Sequence, residues 1–555
     1  MKLKLLSGVL SWLVIGTFLN VLSAQYVNVS APLFSDIVEK VEKEAELNGR
    51  DMAGVVIESQ MDFFDLASFE VLENGMSEWI LDIESSSAVG LCIYFNDFHI
   101  PAGGSLFFQS ESGVFSTLYQ EGPIRSDENN AHRRWASGDI PGDQIRIIYQ
   151  QASTATGSAS LGIMGIGYFV RGVSRGSDDC EVDVMCPEGD SWQCERDAAV
   201  RLRVTQQGGI YYCSGSMVNN TEYDCRQLLL SAFHCADAVS EDEWAYLKVR
   251  YNYEYNECGG TVSINSHART GVIPLTNSND ASAQGFNGSD FLLVEVEDVI
   301  PETWNPFYAG FDASGETGHI GVGIHHPSGD RKKISNYTNP LTSYNIGGAG
   351  SHWRVYWTAT ETNHGVTEGG SSGSPIYTEN HHIVGTLSSG LSACVNGGAG
   401  NGTGPYAPDF YGKMSYHWDG PNPISASQKL KNFLDPSGSG QTIVNGSYVG
   451  EGAQPCGNFG ACSITEAAGI VLESQGWSIS PNPAFSGNIE IAMPKGAPLV
   501  ELRVYDASGR LLESRVPDFI SESLSLDVSH LAKGLHFFTV RTSDGTSSTL
   551  KLVIK

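Results

Sequence analysis

The chain has 555 residues, several times the usual size of one domain, so two to four separately packed units are expected. A formal charge of −30 argues against nucleic acid as a partner, because a binder needs a basic patch to displace counterions from phosphates. Eleven cysteines are unusual for a reducing cytosol, and eight of them fall between Cys180 and Cys394, marking the middle of the chain as its disulfide-bearing part.

Lys2 and Lys4 precede an apolar run from Leu5 to Leu22, and Ser23-Ala24-Gln25 suits cleavage after Ala24. Residues 1–24 therefore read as an export signal rather than a membrane anchor. From Gln25 to about Gly172, after a helical lead at Asp36 to Leu47, short alternating runs such as Gln144-Ile145-Arg146-Ile147-Ile148-Tyr149 are separated by Gly, Pro and Ser turns. This predicts a β-rich unit, in which no nucleophile, base or ligand set clusters.

Between Cys180 and about Gly446 come many short strands with Gly-rich turns, the pattern of an antiparallel barrel or sandwich, closed by a terminal helix at Ser427 to Leu434. Residues 447–475 read as a Gly-rich linker in which Cys456 and Cys462 are close enough to close a small loop. Residues 476–555 alternate again and predict a small β-sandwich with no catalytic residues.

Chemistry concentrates in the middle region. Gly369-Gly370-Ser371-Ser372-Gly373-Ser374-Pro375 sets a serine among small residues, so that its Oγ and nearby backbone N–H groups can approach a carbonyl closely. Leu229-Leu230-Ser231-Ala232-Phe233-His234-Cys235 ends an apolar strand in a histidine that a disulfide could hold. Gly288-Ser289-Asp290-Phe291-Leu292-Leu293 offers a carboxylate just before another apolar strand, able to accept from an imidazole Nδ1–H. Each alone has a plain structural use. The order His, Asp, Ser, at spacings of 56 and 82 residues in one disulfide-rich β region, points to a catalytic triad of His234, Asp290 and Ser372. Ser371 is the near miss, since the nucleophile pattern requires glycine directly after it, which Ser372 has.

The span from Cys180 to about Gly446 resembles the lysyl endopeptidase group of bacterial chymotrypsin-fold proteases. The resemblance rests on Cys180-Glu181-Val182-Asp183-Val184, Cys186-Pro187-Glu188-Gly189-Asp190, Gly215-Ser216-Met217-Val218-Asn219-Asn220-Thr221, Ile324-His325-His326-Pro327 and Tyr411-Gly412 after Asp409. It implies a mostly β chain with a chymotrypsin-like double antiparallel β-barrel at 176–446, secreted and cutting peptides through an acyl-enzyme. It further implies His234 as base and acid, Asp290 as its orienter, Ser372 as nucleophile, and an oxyanion hole from the N–H groups of Gly370 and Ser372. Disulfides Cys180–Cys394, Cys186–Cys258 and Cys213–Cys235 follow from the same resemblance, and Cys194 and Cys225 are left as an extra pair. Cys92 remains single and reads as a buried thiol.

A pocket for a cationic side chain needs a buried carboxylate, since an unpaired ammonium loses more solvation than apolar walls return. By resemblance Asp409 fills that role and Trp357 shapes the substrate site, while Ser388 stands where the family has a histidine. Cleavage after lysine is expected, with arginine as a variant and Glu368 as a second carboxylate. The trypsin-type activation switch is absent, because Ser371 stands where its Asp would be. Cleavage near Val173 to Gly176, with Arg175 as a basic point, would remove 25–175 as a propeptide.

Pro481-Asn482-Pro483, Asp506-Ala507-Ser508-Gly509 and Leu531-Ala532-Lys533-Gly534-Leu535 resemble the C-terminal sorting domain of type IX secretion cargo. This implies export through the periplasm to the medium or cell surface, with outer-membrane secretion machinery as a partner and a monomer once mature. Neither His325-His326 nor His381-His382 has the convergent ligands of a metal site, so no metal or cofactor is expected. A second class of function, a surface adhesin on a catalytically silent protease-like barrel, remains open at this stage.

Overall fold

The computed structural model describes residues 27–448 apart from 49, 112–117, 172–175, 264–265, 281–287 and 396–401, together with stretches between 478 and 554. The expected export signal, Arg175, Cys456 and Cys462 lie outside the described residues. The chain forms two compact units, one chiefly Ala53–Ser174 and the other Lys43–Met52, Arg175–Gln207 and Tyr211–Lys555. One unit gives way to the other near residue 175, yet Lys43–Met52 belongs with the second unit rather than with its neighbours in sequence.

In the first unit β1 (Ser77–Glu84) and β3 (Gly104–Glu111) flank β4 (Gln144–Gln151), with Tyr149 opposite Trp79 on one side and Leu106 on the other. β5 (Ser160–Phe169) runs antiparallel to β2 (Gly90–His99). The period-two pattern of β4 buries Ile145, Ile147 and Tyr149. Trp135 is stacked between Phe98 and Phe108, at centroid separations of 5.0 and 5.9 Å.

The second unit holds two predominantly antiparallel sheets. The first contains β6 (Ala199–Gln206), β7 (Gly209–Met217), β8 (Leu228–Ser231), β9 (Lys248–Tyr251), β10 (Val272–Asn277) and β11 (Leu292–Val296). The second contains β12 (Gly321–His325), β13 (Lys333–Tyr337), β14 (His352–Val355), β15 (Pro375–Thr378), β16 (His382–Gly390) and β17 (Asp409–Lys413), in the order β13-β12-β15-β16-β17-β14. Leu228, Leu230, Phe291 and Leu293 from the first sheet share a buried cluster with Val322, Ile324, Tyr377 and Ile383 from the second. Each such side chain contributes roughly 1.5–3 kcal/mol on burial, which fixes the two sheets against each other.

The helix expected over Ser427 to Leu434 is two single turns, Ala426–Gln428 and Lys431–Leu434, because Lys429 is extended between them. In the C-terminal region Leu499–Asp506 pairs with Gly534–Thr542, and Asn488–Ala492 pairs with Ser523–Asp527. Ile489, Ile491, Leu502, Val504, Phe538 and Leu552 form their common core, as a sandwich requires.

Candidate active site

Strand pairing brings the first two catalytic candidates together. β8 and β11 are antiparallel with Ser231 opposite Leu292, so the residues just past the end of β8 meet those just before β11. His234 sits there in the turn Phe233–Cys235, and Asp290 two residues ahead of β11. The imidazole Nδ1 lies 2.7 Å from Asp290 Oδ2, and the His234 backbone N–H donates to Asp290 Oδ1 at 2.9 Å. Asp290 is fully buried and adopts a left-handed backbone at φ 58°, a strained conformation of the kind held at functional sites. Its N–H donates to Asp280 Oδ2 at 2.7 Å. Burial, with the negative charge of Asp290 adding to it, pushes the Asp280 carboxyl up to about 7.

Ser372 lies in the turn before β15 and borders the same cavity as His234. Gly370 and Gly373 flank it at φ 90° and 81°, and a Cβ on Gly373 would collide with Ser231 Oγ, so both positions require glycine. Among the described residues the N–H groups of Gly370 and Ser372 have no hydrogen-bond acceptor, whereas those of Ser371, Gly373 and Ser374 are bonded within the fold. Ser371 points the other way. Its Oγ is fully buried, accepts from the Glu368 N–H at 3.1 Å and lies 2.7 Å from His325 Nδ1.

Asp409 opens β17 and is fully buried. Its carboxylate accepts five hydrogen bonds: Oδ1 from the N–H groups of Leu391 and Ser392, and Oδ2 from Trp357 Nε1, Thr367 Oγ1 and Ser392 Oγ. Burial holds the carboxyl above its ordinary range, with the Ser392, Trp357 and Thr367 donors pulling back. Trp357 is thus a direct partner of Asp409, at 2.6 Å. Glu368 turns its oxygens to the Asp178 N–H and the Ser328 hydroxyl.

Ser388, expected at the substrate site, donates its hydroxyl to Asp290 Oδ2 at 2.6 Å. A register shift between Leu387 and Ser389 in β16 breaks the strand's alternation there, and the Ser388 side chain reaches the buried carboxylate. Disulfides join Cys180 to Cys394, Cys186 to Cys258 and Cys213 to Cys235, while Cys194 and Cys225 are also disulfide-bonded and Cys92 is a buried free thiol. His326 bonds the Asp330 carbonyl, and His381 lies 3.2 Å from Glu195, so the adjacent histidines serve separate partners. Asp178, Glu368 and Cys394 come close enough for a metal among the described residues, but the Cys394 sulfur is tied up in its disulfide.

The lysyl endopeptidase C-terminal domain family matches this chain over residues 175–412, the stretch that carries every one of these side chains. Residues 175–412 resemble a lysyl endopeptidase C-terminal domain. The chain is 29% identical over 305 residues to the lysyl endopeptidase of Pseudomonas aeruginosa, a match spanning 52% of this chain and 63% of that relative. Among solved structures, a protease from M. tuberculosis in its active form aligns at 14% identity and a TM-score of 0.25, covering 44% of this chain and 85% of its own. A Glu endopeptidase aligns at 17% identity and a TM-score of 0.26, covering 43% of this chain and 93% of its own. Residues 478–555 match the secretion system C-terminal sorting domain, which marks the chain for export, to the medium or the cell surface.

Sequence reading missed Asp280 and the inward role of Ser388, which no motif announces. His325 was read as part of the stretch Ile324-His325-His326-Pro327 that carries the resemblance and as lacking the ligands of a metal site, with no partner assigned to it.

Proposed function

We propose that the chain is a secreted serine endopeptidase that cleaves after lysine through an acyl-enzyme. The observation that carries the reading is the pairing of a buried His234–Asp290 hydrogen bond with two unsatisfied N–H groups beside Ser372. With Nδ1–H donated to Asp290, His234 Nε2 is left free as a base. It takes the Ser372 proton as Oγ attacks the scissile carbonyl, and the oxyanion is received by the N–H groups of Gly370 and Ser372. His234 then gives that proton to the leaving amine, and water repeats the sequence to release the acyl group. The Ser388 hydroxyl and the Asp280-anchored backbone hold Asp290 aimed at His234.

Lysine preference is argued from saturation. A carboxylate has about four lone-pair positions, and Asp409 already accepts five donors. No pair of free positions is left for the fork of an arginine, whereas a compact ammonium needs only the negative potential and the Thr367 and Ser392 hydroxyl oxygens. Export places the enzyme with the outer-membrane secretion machinery as its partner before release. Removal of residues 25–175 as a propeptide belongs to the same reading.

The test is covalent labelling with a fluorophosphonate, followed by hydrolysis of peptides that differ only in Lys or Arg before the scissile bond. Labelling that Ser372→Ala abolishes, with Lys cleaved in preference, supports the reading. No labelling of the processed chain supports a silent binding protein instead.

A further inference from the structure

The segment Lys43–Met52 belongs to the same compact unit as the catalytic side chains, and it lies against them. Arg50 reaches Asp237 with an Nη2 to Oδ2 separation of 2.6 Å. The two side chains keep 15% and 22% of their surface, and Asp237 lies at the edge of the fold where its carboxylate is open to an incoming chain. The next residue, Asp51, is buried, and its carbonyl accepts the backbone N–H of Tyr212 at 3.0 Å. On the other side a Cβ on Gly369 would sit 3.3 Å from the Asp51 Cβ, so Asp51 lies close against the chain leading into Gly370. Arg50, Asp51, His234 and Ser372 enclose a cavity of about 10 Å³, which is room for roughly one water and not for a peptide.

The contacts have the form of a bound substrate chain. The bond from Tyr212 N–H to a carbonyl is one any extended peptide can accept, and it is indifferent to sequence. The Arg50–Asp237 pair is not indifferent: a carboxylate three residues beyond His234, on the same disulfide-anchored turn, selects a cation. These groups, Tyr212, Cys213, Cys235 and Asp237, belong to the first sheet and the turn that follows it. The Asp409 pocket, with Trp357, Thr367 and Ser392, belongs to the second sheet and its loops. With the acyl-side lysine in the second-sheet pocket, the first-sheet cleft receives the leaving-group side of the peptide. Among the described residues Arg50 Nε is buried without an acceptor, so its seat is incompletely satisfied, as befits a segment that must be displaced.

We propose that Asp237 forms an acidic subsite for a basic side chain on the leaving-group side of the scissile bond, and that Arg50 fills this subsite in the unprocessed chain and holds the active site closed. This rests on the serine endopeptidase reading and deepens it, adding a second cationic preference and a self-blocking segment.

Two measurements test it together. Fluorophosphonate labelling is followed on the full chain and its processed product, resolved by size in one sample. The full chain is expected to label at least about tenfold more slowly than the product, and Arg50→Ala or Asp237→Asn to bring the full chain close to the product's rate. On the processed enzyme, peptides with Arg first or second after the cleaved lysine are expected to show kcat/KM about tenfold above their Ala counterparts. Asp237→Asn should reduce that ratio to about one. Equal labelling of wild-type and Arg50→Ala full chains, or a basic-to-neutral ratio that Asp237→Asn leaves unchanged, overturns the inference. A processed wild-type product that neither labels nor hydrolyses any peptide brings down the endopeptidase reading and this inference with it.

Discussion

His325 Nδ1 lies 2.7 Å from Ser371 Oγ, directly behind the peptide group that carries Ser372. The proton assignments follow from the neighbours. Ser335 Oγ donates to the Val366 carbonyl at 2.7 Å and therefore accepts from His325 Nε2–H at 3.1 Å. Nδ1 is then the acceptor for the Ser371 hydroxyl, which in turn receives the Glu368 N–H. Burial pushes His325 down to about 3, so the ring is neutral at any pH where the fold is useful. An uncharged chain of hydrogen bonds stands where trypsin-like enzymes use an amine and an Asp.

His325→Ala should therefore act on the oxyanion hole. Loss of the Ser371 partner frees the turn that aims the Gly370 and Ser372 N–H groups, and kcat is expected to fall about 10- to 100-fold with KM within about twofold. Steady-state kinetics on a lysyl peptide check this. A rise in KM with kcat intact would show that the pair only supports the substrate pocket.

Asp280 gives the fold a pH dependence of a defined sign. Its carboxyl is pushed up to about 7 in the folded chain, against about 3.9 for a free Asp, so between those values the folded state holds a proton the unfolded state has released. Stability from this group is complete below about pH 4, declines as the pH rises, and is lost above about pH 7, by at most about 4 kcal/mol. Asp280→Asn keeps an acceptor for the Asp290 N–H and removes the titration. Its Tm, compared with wild type by calorimetry at either end of that range, should match in acid and exceed wild type above neutrality.

Asp409→Asn should lower kcat/KM on lysyl substrates by about two to three orders of magnitude, since the buried ammonium loses its counter-charge. Trp357→Phe removes the Nε1 donor from Oδ2 but leaves four donors on about four lone-pair positions, so the preference for lysine over arginine is expected to hold, which paired Lys and Arg peptides measure.

The Cys213–Cys235 bridge closes a loop of 22 residues and anchors the turn that holds His234. Replacing both cysteines by alanine should cost about 3 kcal/mol by the chain-entropy account. Denaturant unfolding of the secreted protein checks the value, and activity should fall further than the lost stability explains.

Much of this site was written in local sequence. Apolar strands ending at Ser231 and beginning at Leu292, with His234 and Asp290 at their tips, follow from period-two burial and need only antiparallel pairing to meet. The glycines around Ser372 are legible because a turn with positive φ and no room for a Cβ admits little else. The contact of Ser388 with Asp290 was not legible because alternation predicts which face a strand residue takes only while the register holds, and the shift beside it is set by its neighbours in β16 and β17.

By itself the sequence marked the candidate catalytic residues, the disulfide-rich β architecture around them and the sorting tail, since each depends on residue type, local periodicity or motif. Only the tertiary structure decided what stands around those groups. The five donors on Asp409, the Asp280 carboxyl behind Asp290, the His325 chain under Ser371 and the seat of Arg50 on Asp237 join residues 10 to 187 positions apart. Such contacts are selected by packing two sheets and a distant segment into one volume, where a buried polar group must find whichever partner the fold brings within reach.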